Sequence, residues 1–331
     1  MAPAPTYSNG DSLAQFPTAT KSSYLVPSIL PLGDNVSFED SSFFTNGNGQ
    51  LPTPAEVRST AGSEYCRGRP PPVLFPSLNL IVKYGSEITV AEGQCLWAIR
   101  HTLSSIPVPE VYGWRRDNDE IFIYMELVDG ITLEQAWPDL DVEEKLDICY
   151  QLRPMLEDLR GLRQDPSDTF IGMSFQISLP ILLSNIVCIG SINRQSLRDV
   201  LFDFSQPAGP FEDSTRFYDW FSQLGGPRPY DTDAPKHPMR PGLPNDPSIV
   251  FTHSDLHRSN IIVTKLDSET PRILAIVDWH QSGWYPASWE FFKTRYTCRG
   301  QDSWEDEYIF EFLRSHTGTV NWSYFVNGLG I

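Results

Sequence analysis

The feature that most constrains this chain is a short polar loop between two strand-like apolar pieces. It reads FTHSDLHRSNIIV over residues 251–263 and has the spacing His253-x-Asp255-x-x-x-x-Asn260. The apolar run ILAIVDW follows, with Asp278 at the end of its strand-like part. Carboxylate and amide oxygens at strand ends can orient a hydroxyl and hold a hard metal ion. The pattern therefore predicts a site for phosphoryl transfer.

Each residue of the pattern has an expected role in that chemistry. Asp255 is expected to accept the proton of a substrate hydroxyl and to orient its oxygen in line with the terminal phosphate. Asn260 and Asp278 offer oxygen ligands to Mg²⁺, which bridges phosphate oxygens. His253 is expected to brace the loop by hydrogen bonds rather than to react. The motif HxDxxxxN alone is only suggestive, so the prediction depends on further residues upstream.

An upstream lysine and glutamate support the prediction. The segment VLFPSLNLIVKYG is typical of a strand pair ending at Lys83. In EITVAEGQCLWAIRHTL the apolar residues recur at helical spacing, which places Glu92 on the following helix. An ion pair between Lys83 and Glu92 would aim the ammonium group at the α- and β-phosphates. The alternative is a surface lysine beside an unrelated glutamate.

The remaining periodicity predicts two lobes. Strand-like segments dominate before IYMELVDG, and helical periodicity dominates after Gly130. We therefore predict an α+β, bilobal fold with a small β-rich N-lobe over residues 36–127 and a larger, mainly helical C-lobe over residues 128–331. Residues 1–35 are expected to form a disordered or loosely docked tail.

These segments together resemble the aminoglycoside phosphotransferase and choline kinase branch of the protein-kinase-like fold. More narrowly, they resemble the fungal members of the phosphotransferase enzyme family. The resemblance covers about residues 36–300 and is carried by LIVKYG, IPVPEVYG, IYMELVDG, FTHSDLHRSNIIV and IVDWHQSGWYPASWE.

The resemblance implies ATP and Mg²⁺ as cofactors. It also implies the following roles: Asp255 as the base, Asn260 and Asp278 as metal ligands, and Lys83 with Glu92 at the phosphates. A kinase hinge would pass at IYMELVDG, where backbone groups of Glu126, Leu127 and Val128 can hydrogen-bond adenine. The acceptor stays open, because members of the family act on antibiotics, small alcohols, amines and sugars.

One segment and one single position depart from the family pattern. The segment GRPPPVLFPSLNLIVK, upstream of Lys83, contains no GxGxxG, so ATP is expected to be held differently or weakly. Position 254 is Ser where the family commonly reads HGDLH, and its side chain is tolerable if the backbone φ is negative and costly if it is positive. The missing glycines favour an alternative, a catalytically impaired pseudokinase that acts as a binding module. A protein kinase is a weaker candidate, because no APE-type segment follows Asp278.

An apolar segment interrupts the pattern at about residues 173–189. The family pattern predicts FIGSINRQSLRDVLF, whereas the sequence reads FIG, then MSFQISLPILLSNIVC, then IGSINRQ. Such a loop has no obvious surface to bury against. Back-translation permits a splice donor, a branch point and an acceptor in this segment, and its removal restores FIGSIN in frame. We interpret it as a translated, retained intron, with a structural helix or strand insertion as the alternative.

Composition limits the partners and the compartment. With Lys+Arg 25 against Asp+Glu 42 and a formal net charge of -17, a nucleic-acid partner is not expected. The aromatic run over residues 279–289 and the acidic cluster over 302–311 could line a pocket for a cationic hydroxyl acceptor, although core packing and a solvated helix face are the ordinary alternatives. Scattered cysteines, no signal-peptide pattern and no spanning apolar run predict a cytoplasmic protein without membrane contact.

Overall fold

The computed structural model describes residues 24–25, 27–47, 49–62, 68–165, 189–202, 208–226, 230–265, 270–298 and 304–330. Its strands, in chain order, are β1 (Tyr24–Leu25), β2 (Asn35–Ser37), β3 (Val73–Phe75), β4 (Leu80–Gly85), β5 (Val111–Asp117), β6 (Glu120–Glu126), β7 (Ile131–Thr132), β8 (Arg163–Gln164), β9 (Ile249–Thr252), β10 (Ile261–Val263), β11 (Ile273–Ile276) and β12 (Gly283–Pro286). Its helices are α1 (Ser42–Thr45), α2 (Pro54–Ala61), α3 (Val90–Thr102), α4 (Leu133–Ala136), α5 (Val142–Gly161), α6 (Ser214–Phe221), α7 (Trp289–Thr297), α8 (Ile309–Phe312) and α9 (Thr319–Leu329).

Two of the predicted segments fall partly or wholly outside these ranges. The proposed intron, at about residues 173–189, lies outside the described residues except for Ile189. Of the predicted tail, residues 24–25 and 27–35 are described, and Leu25 and Leu30 are buried in the core. None of the helices in the described part of the chain is both long and apolar enough to cross a membrane.

The N-lobe is built on a five-stranded antiparallel sheet of order β2-β5-β6-β4-β3. Alternate residues of β4 point to opposite faces of the sheet. Val82 and Tyr84 pack into a small cluster on one face, whereas Ile123, which pairs with Lys83, belongs to the core shared with α3. The strand period therefore places the Lys83 side chain on the same face as α3, next to Glu92.

Within the described residues, the C-lobe contains most of the helices and two small sheets of its own, and β8 pairs with β1 of the N-terminal segment. The longest helix, α5, begins at a capping box in which Asp141 and Glu144 satisfy each other's main-chain N–H groups. The strands pair as β9 with β12 and as β11-β10-β7. This arrangement confirms the predicted bilobal, protein-kinase-like fold with a β-rich N-lobe and a mainly helical C-lobe.

Buried polar side chains support the loop over residues 253–260, which joins β9 to β10. Ser254 has a φ of +66°, in the left-handed region that glycine adopts most readily. Its hydroxyl donates to Asp199 Oδ2 at 3.0 Å and accepts from Trp289 Nε1 at 2.9 Å. Asp199 in turn accepts from Lys293 Nζ at 2.6 Å, and both of these side chains are completely buried. The serine thus has the costly backbone conformation, and its hydroxyl is used as both donor and acceptor.

Glu290, in the first turn of α7, holds the same loop through its main chain. Its carboxylate accepts from the N–H of His253 at 2.6 Å and from the N–H of Ser254 at 3.1 Å. Burial raises the pKa of Glu290 to about 7, although both N–H donors favour the ionised form. The start of α7 therefore fixes the backbone of the loop at its first two residues.

Replacing Ser254 by Gly and by Ala should separate backbone strain from the hydroxyl contacts. Both changes remove a hydrogen bond to a buried carboxylate and one to a buried indole, which costs about 2–4 kcal/mol. Only Gly relieves the left-handed strain, worth about 1–2 kcal/mol. We expect the free energy of unfolding, measured by urea denaturation, to decrease in the order wild type, Ser254→Gly, Ser254→Ala. A glycine variant more stable than the wild type would contradict this account.

The buried carboxyl of Glu290 should make stability depend on pH. Its pKa rises from an ordinary value of 4.5 to about 7 on folding, so the folded chain binds this proton more tightly than the unfolded chain. The resulting stabilisation is complete below pH 4.5 and is lost as the pH rises through about 7. Over that range the free energy of unfolding of the wild type should fall by about 2–4 kcal/mol relative to Glu290→Gln. A difference between the two proteins that is independent of pH would refute the assignment.

Candidate functional site

Charged side chains from both lobes converge at one point of the interlobe cleft. Lys83 Nζ, in β4, lies 2.5 Å from Glu92 Oε1 in α3 and 2.6 Å from Oδ1 of Asp278, which follows β11. Arg69 also reaches this carboxylate, with Nη2 at 2.7 and 2.8 Å from its two oxygens. The predicted ion pair of Lys83 with Glu92 is therefore present, and it continues across the cleft to Asp278.

Burial and neighbouring charges determine the ionisation of this group. Burial raises the pKa of Glu92, against the attraction of Lys83. Burial would also raise the pKa of Asp278, but Lys83 and Arg69 together hold it well below its ordinary value. Asp278 has a φ of +60°, a conformation that costs a non-glycine residue about 1–3 kcal/mol. The two ion pairs keep the carboxylate ionised and offset this backbone strain.

Asp255 is fixed through both its backbone and its side chain. Asn260 Nδ2 donates to the main-chain oxygen of Asp255 at 2.8 Å and to Oδ2 at 3.2 Å. His253 Nδ1 accepts from the N–H of Asp255 at 3.2 Å, and Nε2 lies 2.9 Å from Val277 O, which fits a neutral ring with its proton on Nε2. Burial lowers the pKa of His253, so the ring stays neutral. His253 therefore braces the loop and does not touch a reacting atom.

The two predicted metal ligands lie at neighbouring strand ends. Asn260 precedes β10 and Asp278 follows β11, in a pair where Ile261 faces Ile276 and Val277 N donates to Asn260 O at 2.9 Å. Because Nδ2 of Asn260 faces Asp255, the carboxamide oxygen is the atom that can bind a cation. One carboxylate and one amide oxygen fit Mg²⁺, which takes few protein ligands and completes its shell with phosphate and water.

Part of the predicted adenine hinge is occupied by internal hydrogen bonds. The N–H of Glu126 donates to Glu110 O at 2.8 Å, and the N–H of Leu127 donates to Asn79 O at 3.1 Å. Within the described part of the chain, the N–H of Val128 makes no backbone hydrogen bond. The N–H groups of Glu126 and Leu127 are therefore used internally, the N–H of Val128 is not, and adenine binding at this segment stays a prediction.

The aromatic run after Asp278 does not line the cleft. Trp279, Trp284, Tyr285 and Trp289 are each at most 2% exposed. Tyr285 stacks on Trp289 with ring centroids 5.3 Å apart. The burial of these rings favours the core-packing alternative over an aromatic wall for a cationic acceptor.

The acidic cluster is also partly committed to structural contacts. Glu305 pairs with Arg295 at 3.0 Å and Glu311 pairs with Arg153 at 3.4 Å. Asp306 and Glu307 are exposed, and Asp302 lies outside the described residues. A solvated helix face with ion pairs accounts for the carboxylates that the structure describes.

Sequence reasoning missed the side chains that position the site from a distance. These are Arg69, Asp199, Glu290 and Lys293. Glu290 stands in the motif IVDWHQSGWYPASWE, so the resemblance offered a signal for it. Asp199 and Lys293 had no local signal, since their contact spans 94 residues of sequence.

Comparison with known proteins gives a family match for the segment that contains the polar loop. The model of the phosphotransferase enzyme family matches residues 236–320, which include the 253–260 loop, β10, β11 and Asp278. No curated protein matches the chain.

Several solved structures resemble the chain at low identity. Aminoglycoside phosphotransferase APH(3'')-Id from Streptomyces rimosus is 14% identical, with 82% of this chain and 94% of that chain covered and a TM-score of 0.43. A thermostable mutant of aminoglycoside phosphotransferase APH(4)-Ia, in ternary complex with AMP-PNP and hygromycin B, is 10% identical, with 76% and 84% covered and a TM-score of 0.40. TM-scores this low carry no argument about the chemistry of this chain.

The family match coincides with the residues that carry the resemblance in the C-lobe. It includes Asp255, Asn260 and Asp278, whose roles stay predictions, as does the fungal branch of the family. The match over residues 236–320 confirms the predicted resemblance of this chain to the phosphotransferase enzyme family.

Proposed function

We propose that this chain is an ATP-dependent small-molecule O-phosphotransferase, which transfers the γ-phosphate of ATP to a hydroxyl group. The observation that carries the proposal is the contact between Lys83 and Asp278, which come from opposite lobes. The loop that precedes Asp278 in the sequence holds Asp255 by hydrogen bonds from Asn260 and to His253. The family match over the same loop supports it.

The roles of the side chains follow from their positions. Asp255 accepts the proton of the acceptor hydroxyl while the hydroxyl oxygen bonds to the γ-phosphorus. The bond from that phosphorus to the β,γ-bridging oxygen breaks, which releases ADP. Lys83, oriented by Glu92, binds phosphate oxygens. The N–H of Val128 donates to adenine. Positioning and charge stabilisation supply most of the rate in reactions of this kind.

Asn260 and Asp278 are the residues that would hold Mg²⁺. When bound, the ion neutralises phosphate charge and orients the γ-phosphate for in-line transfer. The low pKa of Asp278 suits this role, because the carboxylate is ionised before any metal arrives.

The acceptor is proposed to be a small alcohol, with a preference for cationic over anionic molecules. The support for this preference is electrostatic, because the aromatic residues after Asp278 are buried. A formal net charge of -17 favours the approach of cations over anions.

Changing Asp255 to Asn should abolish turnover and leave nucleotide affinity almost intact. The amide cannot accept the proton, but it is isosteric and can still accept from Asn260 Nδ2. We expect kcat to fall by about 10²–10⁴-fold, with the Kd of Mg·AMP-PNP unchanged within about threefold by titration calorimetry. Asp34→Asn, a change at an exposed carboxylate of the N-lobe, is the matched control and should keep full turnover.

Turnover is measured as ATP consumption against a panel of alcohols. Comparable turnover in the Asp255→Asn variant would reject Asp255 as the base. A wild-type protein that binds Mg·AMP-PNP but phosphorylates no acceptor would favour the alternative of a binding module.

A competition screen with matched alcohols should show the acceptor preference. We expect kcat/KM to decrease from cationic to neutral to anionic acceptors, and the spread to shrink at high salt because surface fields are screened. An anionic acceptor that outcompetes its cationic counterpart would overturn the charge preference and leave the phosphotransfer proposal standing.

A further inference from the structure

One arginine of the N-lobe reaches the site without a role in the chemistry described so far. Arg69 contacts Asp278 through Nη2 alone. Within the described part of the chain, its Nε and Nη1 groups make no hydrogen bond, and the side chain is 28% exposed. Arg69 therefore has N–H donors at Nε and Nη1 that are not used by Asp278, the carboxylate that also pairs with Lys83.

Close backbone packing fixes the position of this arginine. Gly68 has a φ of +82°, and its carbonyl accepts from the N–H of Glu87, just past β4, at 2.9 Å. A Cβ on Gly85 would lie 2.2 Å from that carbonyl oxygen, so only glycine permits the approach. The turn that carries Arg69 is thereby held against the end of the strand that carries Lys83.

The three prolines of the segment leave few main-chain donors beside the arginine side chain. Glycine-rich loops cover nucleotide phosphates closely, and the protein-kinase signature has such a loop upstream of the lysine strand. Here the corresponding sequence is Gly68-Arg69-Pro70-Pro71-Pro72, directly before β3. Prolines have no main-chain N–H and fix φ, so residues 70–72 cannot donate to phosphate but hold the turn rigid. A guanidinium, by contrast, matches phosphate oxygens with a planar fork of donors.

Two cations of the site share one anionic oxygen. Lys83 and Arg69 lie 2.6 and 2.7 Å from the same oxygen of Asp278, so two cations share one acceptor atom. Like charges at this range repel each other. Glu92 contacts Lys83 but not Arg69 among the described ion pairs. A triphosphate offers several anionic oxygens and could satisfy both cations at once.

We infer that Arg69 binds the terminal phosphate of the nucleotide and does so in place of a glycine-rich loop. The inference rests on the proposed function, since it needs ATP in the cleft. The competing view is that Arg69 only ties the two lobes together through Asp278.

Titration calorimetry with Mg·AMP-PNP and Mg·ADP distinguishes the two views without measuring turnover. Arg69→Gln should weaken the binding of AMP-PNP by about 10- to 100-fold, as expected for loss of a charge-assisted hydrogen bond, and change ADP binding by less than about threefold. Arg69→Lys keeps the charge without the fork and should lie between the wild type and Arg69→Gln. Arg116→Gln removes an exposed N-lobe arginine that pairs with Asp34, and it should leave both affinities unchanged.

The outcomes separate this inference from the proposed function. If the wild type binds AMP-PNP and Arg69→Gln binds it equally or more tightly, Arg69 is only a tether, and the phosphotransferase proposal survives. An equal loss for ADP and AMP-PNP would overturn the assignment to the terminal phosphate. If the wild type binds neither nucleotide, both the inference and the proposed function fail. Thermal unfolding of each variant establishes that it is folded at the temperature of the titration.

Discussion

The arrangement of the two lobes around the cleft depends on the carboxylate of Asp278. It is the anion between Lys83 and Arg69, both of which belong to the N-lobe, while its own backbone belongs to the C-lobe strand pair β10–β11. Its left-handed φ shows that the side chain is directed into the cleft at a conformational cost. Among the described residues, Lys83 forms ion pairs with Asp278 and Glu92. Without Asp278 its buried ammonium would depend on Glu92, and burial favours the protonated, neutral form of that glutamate.

A second set of buried polar groups holds the loop that carries Asp255. Asp199 and Lys293 form an ion pair with no exposure to solvent, and such pairs contribute little net stability because desolvation offsets their attraction. Their effect is geometric. Separating the pair would leave a buried charge without its partner, so Asp199 is held in place beside Lys293. Asp199 in turn holds the Ser254 hydroxyl. The loop is thus held by three contacts: Asp199 binds the Ser254 hydroxyl, Glu290 binds main-chain N–H groups, and His253 accepts from the N–H of Asp255.

Local patterns predicted the parts of the site that depend on short sequence separations. Strand and helix periodicity placed Lys83 and Glu92 face to face. The loop spacing pointed to Asp255 and Asn260 as functional residues, although the hydrogen bond between them was not predicted. Contacts between distant segments had no such signal. Arg69 and Asp278 are 209 residues apart, and the segment Gly68-Arg69-Pro70-Pro71-Pro72 has no local pattern that predicts this contact. The aromatic run was equally ambiguous, because residue type alone does not decide whether a tryptophan faces a cleft or the core.

The shared anion at Asp278 also limits how a nucleotide can bind. In the free protein, Lys83 and Arg69 are already neutralised, so phosphate oxygens must compete with a carboxylate for both cations. That competition would weaken binding of a metal-free nucleotide, since Asp278 would be left as an unpaired, partly buried anion beside the phosphates. Under the proposed function, a nucleotide that carries its own divalent cation would avoid this penalty. Asp278 would then face a metal instead of two protein cations, while Lys83 and Arg69 would face several phosphate oxygens instead of one carboxylate. The same exchange would release the ion pairs that Asp278 makes with Lys83 and Arg69, so the proposed function implies that nucleotide binding and the relative position of the lobes are coupled through this side chain.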